Sequence, residues 1–328
     1  MLKLFHGNMA LQAVLIVAVT LLLWVPPLLA PTPMDGGENP AILYGLLCSW
    51  MQHTPRLAVI IAIILVIAEG IGLNILLSDI GLVSQSSLLP TLLYIAVASA
   101  GAATLTPMIP VCGVAILCLH QLMLRGTLLT ITPVKICNAT AFIAIASMFY
   151  QPAVALMLSY LLVAASYRLY TWKDWMLMIL GFAAPYTLLA AVLYMTGGLA
   201  DWWTATASAL GDIRLHVGHA DLLPLLGGVC LALALLWSLL TVNLRLGEHP
   251  VVWQKNASAV MLLAVGGVAM LFYRPLLPFL PACFALPFTF CTSRFLLEDN
   301  TSRSFRNKKH LWAYDLMFIL IIIAAIVC

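Results

Sequence analysis

Long apolar runs separated by short polar segments extend over the whole chain. Most runs approach twenty residues, the length that a helix needs to cross a hydrocarbon core about 30 Å thick. Because backbone polar groups in lipid must be satisfied internally, the runs predict an all-α, polytopic helical bundle. We predict one integral membrane domain over residues 1–328, with eleven spans at about 9–30, 57–77, 88–106, 108–124, 136–150, 152–167, 176–197, 223–243, 257–272, 275–291 and 311–328.

Two pairs of these spans are predicted to form short helical hairpins. Residues 138–165 are too long for one helix and short for two, and Gln151-Pro152 lies at their centre. Proline removes a backbone donor and breaks helices, so the chain is expected to reverse at this dipeptide. The spans at 257–272 and 275–291 are divided in the same way by Tyr273-Arg274-Pro275.

The distribution of basic residues predicts the orientation of the bundle. With a cytoplasmic N-terminus, the alternation of spans leaves only Arg56, Arg214 and Arg274 on the external side. The other twelve of the 15 basic residues are then internal, as the positive-inside rule requires. Merging one hairpin into a single span would invert every later loop and remove this asymmetry. The pattern therefore predicts a cytoplasmic N-terminus and an external C-terminus.

The composition agrees with a membrane protein and excludes a soluble domain. Hydrophobic residues make up 63% of the chain, the mean hydropathy is +1.07, and the small net charge of +3 does not suggest a nucleic-acid partner. Of the eight cysteines only Cys48 is expected to be accessible, and no CxxC pair occurs, so neither a disulfide framework nor a metal site is predicted. The first apolar run could be a cleaved signal, but the missing small-x-small site and the many later spans favour a retained helix.

The loop after the first span places two acids at the predicted external surface. Asp35 and Glu38 lie in Pro/Gly-rich sequence ahead of an apolar segment that contains Tyr44 and Trp50. If Pro40 begins a helix, both acids lie at its N-terminal end, where a carboxylate could act as a general base on an acceptor hydroxyl. The alternative is a solvated turn, because Asp, Gly, Asn and Pro are ordinary turn residues.

The three external arginines, Arg56, Arg214 and Arg274, form a candidate anion site. Guanidinium groups match phosphate geometry, so the set could hold the phosphate of a lipid at the outer headgroup level. The alternative for each arginine is contact with ordinary lipid phosphates or snorkelling to the interface.

The segment after the seventh span adds further candidate binding residues. His216 and His219 are spaced i, i+3, so one helix face could present both, but no HExxH pattern occurs and no metal is predicted. Trp202 and Trp203 are typical of the membrane interface, and an indole face can also stack on a sugar ring. His216, His219 and Trp202 are therefore candidates for substrate binding.

Glu69 lies inside the second span, where an ionisable group is costly and marks a candidate functional site. His120 and Gln121, near the inner end of span four, could be its partners. The structural alternative is a neutral Glu that hydrogen-bonds a neighbouring helix.

Four segments resemble an uncharacterised family of bacterial polytopic inner-membrane proteins, a domain of unknown function. The segments are FHGNMALQAVLIVAVTLLLW, SDIGLVSQSSLLPTLLYIAV, IASMFYQPAVALMLSYLLVAA and YRLYTWKDWMLMILGFAAPYTLLAAVLYMTGGLADWW. The resemblance runs over most of the chain and implies an inner-membrane location, without an activity.

More distantly, the layout resembles the GT-C superfamily of polytopic glycosyltransferases. Those enzymes have an acid in the first external loop, a juxtamembrane helix and short hairpins, and they transfer sugars from polyprenyl-phosphate donors. The resemblance implies that Asp35 or Glu38 matches the loop acid and that Tyr150-Gln151-Pro152 matches the hairpin turn. The chain departs from the pattern because its first loop is short and its acids form no DE or DxD pair.

The leading expectation is a GT-C-like protein that binds or transfers a polyprenyl-phosphate-linked sugar at the external face. Asp35 or Glu38 would be the general base, and the three arginines would hold phosphate. Whether the protein is an enzyme stays open, and no cofactor can be named. The alternatives are a non-catalytic subunit that packs on unidentified envelope proteins through small residues such as those at 98–103, and a transporter that uses Glu69.

Overall fold

The computed structural model describes residues 9–32, 34, 41–83, 87–100, 102, 104–124, 131–169, 171–211, 222–245, 247, 249–270 and 280–298. Every regular secondary-structure element in these ranges is a helix. The α-helices are α1 (Met9–Leu29), α2 (Ile42–Met51), α3 (Pro55–Asp79), α4 (Leu89–Ala98), α5 (Met108–Leu122), α6 (Pro133–Phe149), α7 (Leu156–Ser166), α8 (Trp172–Thr196), α9 (Leu199–Gly211), α10 (Leu222–Arg245), α11 (Val251–Met270) and α12 (Leu280–Glu298). A 3-10 helix, Gln151–Ala155, joins α6 to α7.

Four helices in the described ranges are long and apolar enough to cross a membrane. They are α1, α3, α8 and α11, which have 20 to 25 residues each. Other helices are equally apolar but have only 10–17 residues in the searched part of the chain. Ten of the eleven predicted spans overlap a described helix, although α4 covers only about half of the span predicted at 88–106, and the last span, 311–328, lies outside the described residues. The helical bundle and its membrane character are confirmed, and crossing by the shorter helices stays a prediction.

Helix ends that are predicted to be external contact one another. Trp24, near the end of α1, donates a hydrogen bond from Nε1 to Ser99 Oγ, just after α4, at 2.9 Å. Tyr44 of α2 donates its hydroxyl hydrogen to the carbonyl of Leu105, just before α5, at 2.9 Å. Both bonds join ends that the predicted alternation assigns to the same side of the membrane.

The opposite helix ends form a second group. The N–H of Leu88, which precedes α4, donates to Gln12 Oε1 near the start of α1 at 2.8 Å. Near the start of α11, Asn256 accepts from the N–H of Leu124 and donates to its carbonyl, both at 2.9 Å. These ends are the predicted internal ones. The pairing of ends therefore agrees with an alternating helix order, while the side that faces the cytoplasm stays a prediction.

The predicted break at Gln151-Pro152 is confirmed. α6 ends at Phe149, Tyr150 is extended with φ −145° and ψ 109°, and the 3-10 helix begins at Gln151. The spans predicted at 257–272 and 275–291 are also separate helices, α11 and α12, and they pack against each other. The turn between them lies outside the described residues.

The loop helix α2 begins close to the predicted position, at Ile42, and Pro40 itself lies outside the described residues. Its buried residues, Tyr44, Cys48 and Met51, recur at i, i+4 and i+7, so one helix face packs on the bundle. Cys48 is therefore only 8% exposed, and the expectation that it is accessible is wrong. The neighbouring Trp50 is 75% exposed on the other face.

A close contact between α6 and α8 positions the region described next. A Cβ at Gly181 of α8 would overlap the carbonyl of Cys137 and Oγ1 of Thr140 on α6, so only glycine allows this approach. One turn further along, the hydroxyl groups of Tyr186 and Ser147 lie 2.6 Å apart. Elsewhere α8 is little covered by other helices: only 11% of the residues in its most apolar stretch are buried.

Candidate functional site

An open groove of about 990 Å³ lies between α8, α9 and the 3-10 helix. We call it the aromatic groove. Its lining is almost wholly apolar and aromatic, with a few amide and hydroxyl groups. The lining residues are Gln151, Val154, Phe182, Ala183, Tyr186, Thr187, Ala190, Tyr194, Gly197, Leu199, Ala200, Trp202, Trp203 and Thr206.

Local sequence signals explain where α8 begins and ends and where α9 starts. α8 begins with a capping box, in which Thr171 accepts from the N–H of Asp174 and the Asp174 carboxylate accepts from the N–H of Thr171. It ends at Gly197, whose φ of 78° is a left-handed conformation that glycine adopts without strain. Gly197 redirects the chain, so α9 starts two residues later and folds back beside α8.

Four aromatic rings follow one another along the groove. Phe182 and Tyr186 are spaced i, i+4 on α8, and their ring centroids lie 5.4 Å apart. Tyr186 is 6.3 Å from Trp202 of α9, which is 6.5 Å from Trp203. The small side chain of Ala190, one turn after Tyr186, leaves the groove open. The result is an aromatic wall suited to an apolar ligand or to the face of a sugar ring.

Gln151, the first residue of the 3-10 helix, brings a polar side chain to the edge of the groove. Gln151 is 8% exposed, and its Nε2 donates to the carbonyl of Thr206 on α9 at 3.1 Å. Its Oε1 is buried and has no hydrogen-bond partner among the described residues. This amide lies at the predicted external end of the bundle and borders the same groove as Trp202 and Trp203.

Two of the predicted site residues lie in the described ranges. Trp202 lines the aromatic groove, and its role in substrate binding stays a prediction. Arg56 is exposed in the first turn of α3 and is not part of the groove lining. The others lie outside the described residues, so their roles stay predictions. They are Asp35, Glu38, Arg214, His216, His219 and Arg274.

Several residues that line the groove carry no clear signal in the sequence. Phe182, Tyr186 and Tyr194 lie in an apolar run, where aromatic side chains usually face lipid or another helix. The sequence indicates Gln151 only as part of a turn. The available signal was the recurrence of aromatic and small residues at i, i+4 along α8, followed by Gly197 and a Trp pair.

Glu69 lies in a different, closed environment. Its Oε2 accepts a hydrogen bond from the hydroxyl of Tyr94 on α4 at 2.8 Å, so its partner is Tyr94 rather than His120 or Gln121. Oε1 has no partner in the part of the chain that the structure describes, and a Cβ at Gly113 of α5 would lie 2.6 Å from it. A carboxyl group enclosed by three helices fits the structural alternative better than a transport site.

Metal binding has no support in the described ranges, which hold no group of three His, Cys, Asp or Glu that could ligate an ion. The His216–His219 pair lies outside them. Comparisons of the chain with protein-family models, with curated proteins and with solved structures gave no match. The functional conclusion therefore rests on the aromatic groove and on the sequence.

Proposed function

We propose that the protein binds a polyprenyl-phosphate-linked sugar, with the isoprenoid chain in the aromatic groove, at the external face of a bacterial inner membrane. The observation that carries the proposal is the groove itself, which is open, apolar, about 990 Å³ in volume and walled by aromatic rings, four of which form a continuous series. That volume is at the upper end of the range for small-molecule sites. A branched hydrocarbon chain gains free energy by burying its surface against such rings.

Direct access from the bilayer to the groove supports a lipid as the ligand. Leu180, Leu188 and Val192 of α8 are 61%, 71% and 59% exposed, so the helix that forms one wall of the groove presents an apolar outer surface. In a membrane this surface meets acyl chains. A lipid-linked substrate can therefore enter the groove sideways without leaving the hydrocarbon region.

Sugar transfer is the reaction that we propose for this site. Asp35 or Glu38 would take the proton of an acceptor hydroxyl, whose oxygen attacks the anomeric carbon while the polyprenyl phosphate leaves with the bonding electrons. Arg56, Arg214 and Arg274 would hold the phosphate, and His216 and His219 would contact the sugar. The chain position of three of these residues supports the assignment, because residues 212–221 directly follow α9 of the groove.

Filling the groove should prevent lipid binding. Ala190→Trp places an indole among the lining residues, whereas Ala191→Trp puts the same group on an exposed position of α8 outside the lining. With a hexosyl polyprenyl phosphate that carries a diazirine in its chain, we expect photolabelling of wild type between residues 182 and 203. Labelling should fall at least about tenfold in Ala190→Trp and persist in Ala191→Trp, since a filled cavity forfeits the apolar contacts. Equal labelling of all three proteins would refute the groove assignment.

The acids test the transfer step separately. In cells that carry Asp35→Asn with Glu38→Gln, we expect altered envelope glycans and accumulation of the lipid-linked donor, because a general base contributes about 10²–10⁴ in rate. Mass spectrometry of extracted glycans and lipid-linked intermediates is the measurement. Unchanged glycans with normally inserted protein would exclude the transferase and leave only binding.

A non-catalytic membrane subunit is the second candidate, and the exposed outer surface of α8 favours it. An apolar helix face with so little cover can contact a partner helix as well as lipid. Co-purification in a mild detergent distinguishes the two. A stoichiometric protein partner together with tolerance of the Asp35 and Glu38 substitutions would support the subunit.

A further inference from the structure

The amide of Gln151 borders the aromatic groove and is held by a hydrogen bond to α9. Its Nε2 is held by the carbonyl of Thr206, at 3.1 Å, which fixes the orientation of the amide. Its Oε1 is left buried, on a side chain that is 8% exposed, with no partner among the described residues. A buried acceptor in an apolar setting costs free energy until a donor reaches it.

The hydroxyl group of Tyr186, which also lines the groove, can likewise only accept a further hydrogen bond. Ser147 donates its hydroxyl hydrogen to the carbonyl of Ala144 at 2.6 Å. The 2.6 Å contact between Tyr186 and Ser147 is therefore a hydrogen bond that Tyr186 donates. The oxygen of Tyr186 retains only the capacity to accept. Both groups consequently favour a ligand that brings hydrogen-bond donors.

Hydroxyl groups are the donors that fit this site, and phosphate oxygens are not. A phosphate offers acceptors, which Gln151 Oε1 cannot satisfy. A sugar offers several O–H donors, and its ring can stack on the indole of Trp202, which lines the same groove. A site that is built to hydrogen-bond a hydroxyl discriminates strongly against an analogue that lacks one.

We infer that Gln151 is a specificity-determining residue, whose Oε1 accepts a hydrogen bond from a sugar hydroxyl. It thereby lets the groove distinguish a glycosylated polyprenyl phosphate from the bare polyprenyl phosphate. This inference rests on the proposed function, because it assumes that the groove holds the lipid. It assigns the glycosyl group to the 3-10 helix end of the groove and the chain to the wall formed by Phe182 and Ala190.

The test is a comparison of two lipids on one protein. Full-length protein in phosphatidylcholine nanodiscs is titrated with a polyprenyl phosphate and with the same lipid bearing one hexose. Gln151→Met keeps the length of the side chain but removes the acceptor. Gln254→Met is the matched control, because it makes the same change in α11, outside the groove lining. Gln151→Leu replaces Gln151→Met if the latter does not insert.

Wild type and Gln254→Met should bind the hexosylated lipid at least about tenfold more tightly than the bare lipid, as one hydrogen bond predicts. Gln151→Met should lose about tenfold of that preference while its affinity for the bare lipid changes less than about twofold. A preference that survives in Gln151→Met, or an equal loss for both lipids, overturns the role of Gln151. If wild type binds neither lipid, the proposed function itself fails.

Discussion

Asn256 of α11 pairs with both backbone polar groups of one residue, Leu124, just after α5. Its amide accepts from the N–H of Leu124 and donates to the carbonyl of Leu124, so the backbone groups of the residue that leaves α5 are satisfied near the start of α11. Such pairing is the general condition for burying polar groups. Gln151 differs, because only its donor is paired within the described residues. This contrast between a fully paired amide and a half-paired one, at the edge of the groove, supports the role that we propose for Gln151.

Glu69 illustrates the packing of a carboxyl group at the residue scale. Tyr94 donates to Oε2, and Gly113 leaves just enough room for Oε1. Gly113→Ala should therefore destabilise the protein by about 1–3 kcal/mol, as overpacked cores do. In a Glu69→Ala background the added methyl group no longer meets a carboxyl oxygen, so its cost should largely vanish.

The double-mutant cycle is measured by unfolding in detergent, and the coupling between the two positions is the readout. Additive effects would contradict the observed packing. Glu69→Gln keeps an acceptor for Tyr94 and serves as the control. It should be close to wild type in stability if Glu69 has the structural role, whereas a transport site would lose its flux.

At the scale of elements, the contact between α6 and α8 depends on a single glycine. Gly181→Ala should destabilise the bundle by about 1–3 kcal/mol, since the new Cβ would overlap Cys137 and Thr140. Gly72 of α3 has open space around its Cβ position, so Gly72→Ala should be neutral or stabilising, by up to about 1 kcal/mol. Thermal unfolding of the two variants in the same detergent provides the comparison. Equal stabilities would show that α6 and α8 do not approach this closely.

The elements were predictable where the sequence carries a local signal. Pro152 predicted the break between α6 and α7, and the segment after Pro40 predicted a helix that became α2. The groove had no such signal. It depends on α9 folding back beside α8 after Gly197, and no periodicity in an apolar run indicates which face a second helix will cover. The burial of Cys48 is unpredictable for the same reason: it depends on which face of α2 packs against the bundle.

At the scale of the whole molecule, contacts between helix ends agree with the alternation that the basic residues predicted. The bonds of Trp24 and Tyr44 join predicted external ends, and that of Asn256 joins predicted internal ends. The aromatic groove lies at the end that holds Gln151 and Gly197, both predicted to be external. A lipid-linked sugar in the groove would therefore present its sugar at the side where the predicted acids and arginines lie. The proposed function requires that the groove and these loops form one site.

Native mass spectrometry of the protein released directly from bacterial membranes tests this central claim most directly. Wild type and Ala191→Trp should carry a bound lipid with the mass of a polyprenyl phosphate plus one or more sugar residues, and Ala190→Trp should lack it. Wild type that carries only phospholipid, or Ala190→Trp that retains the same glycolipid, would contradict the account.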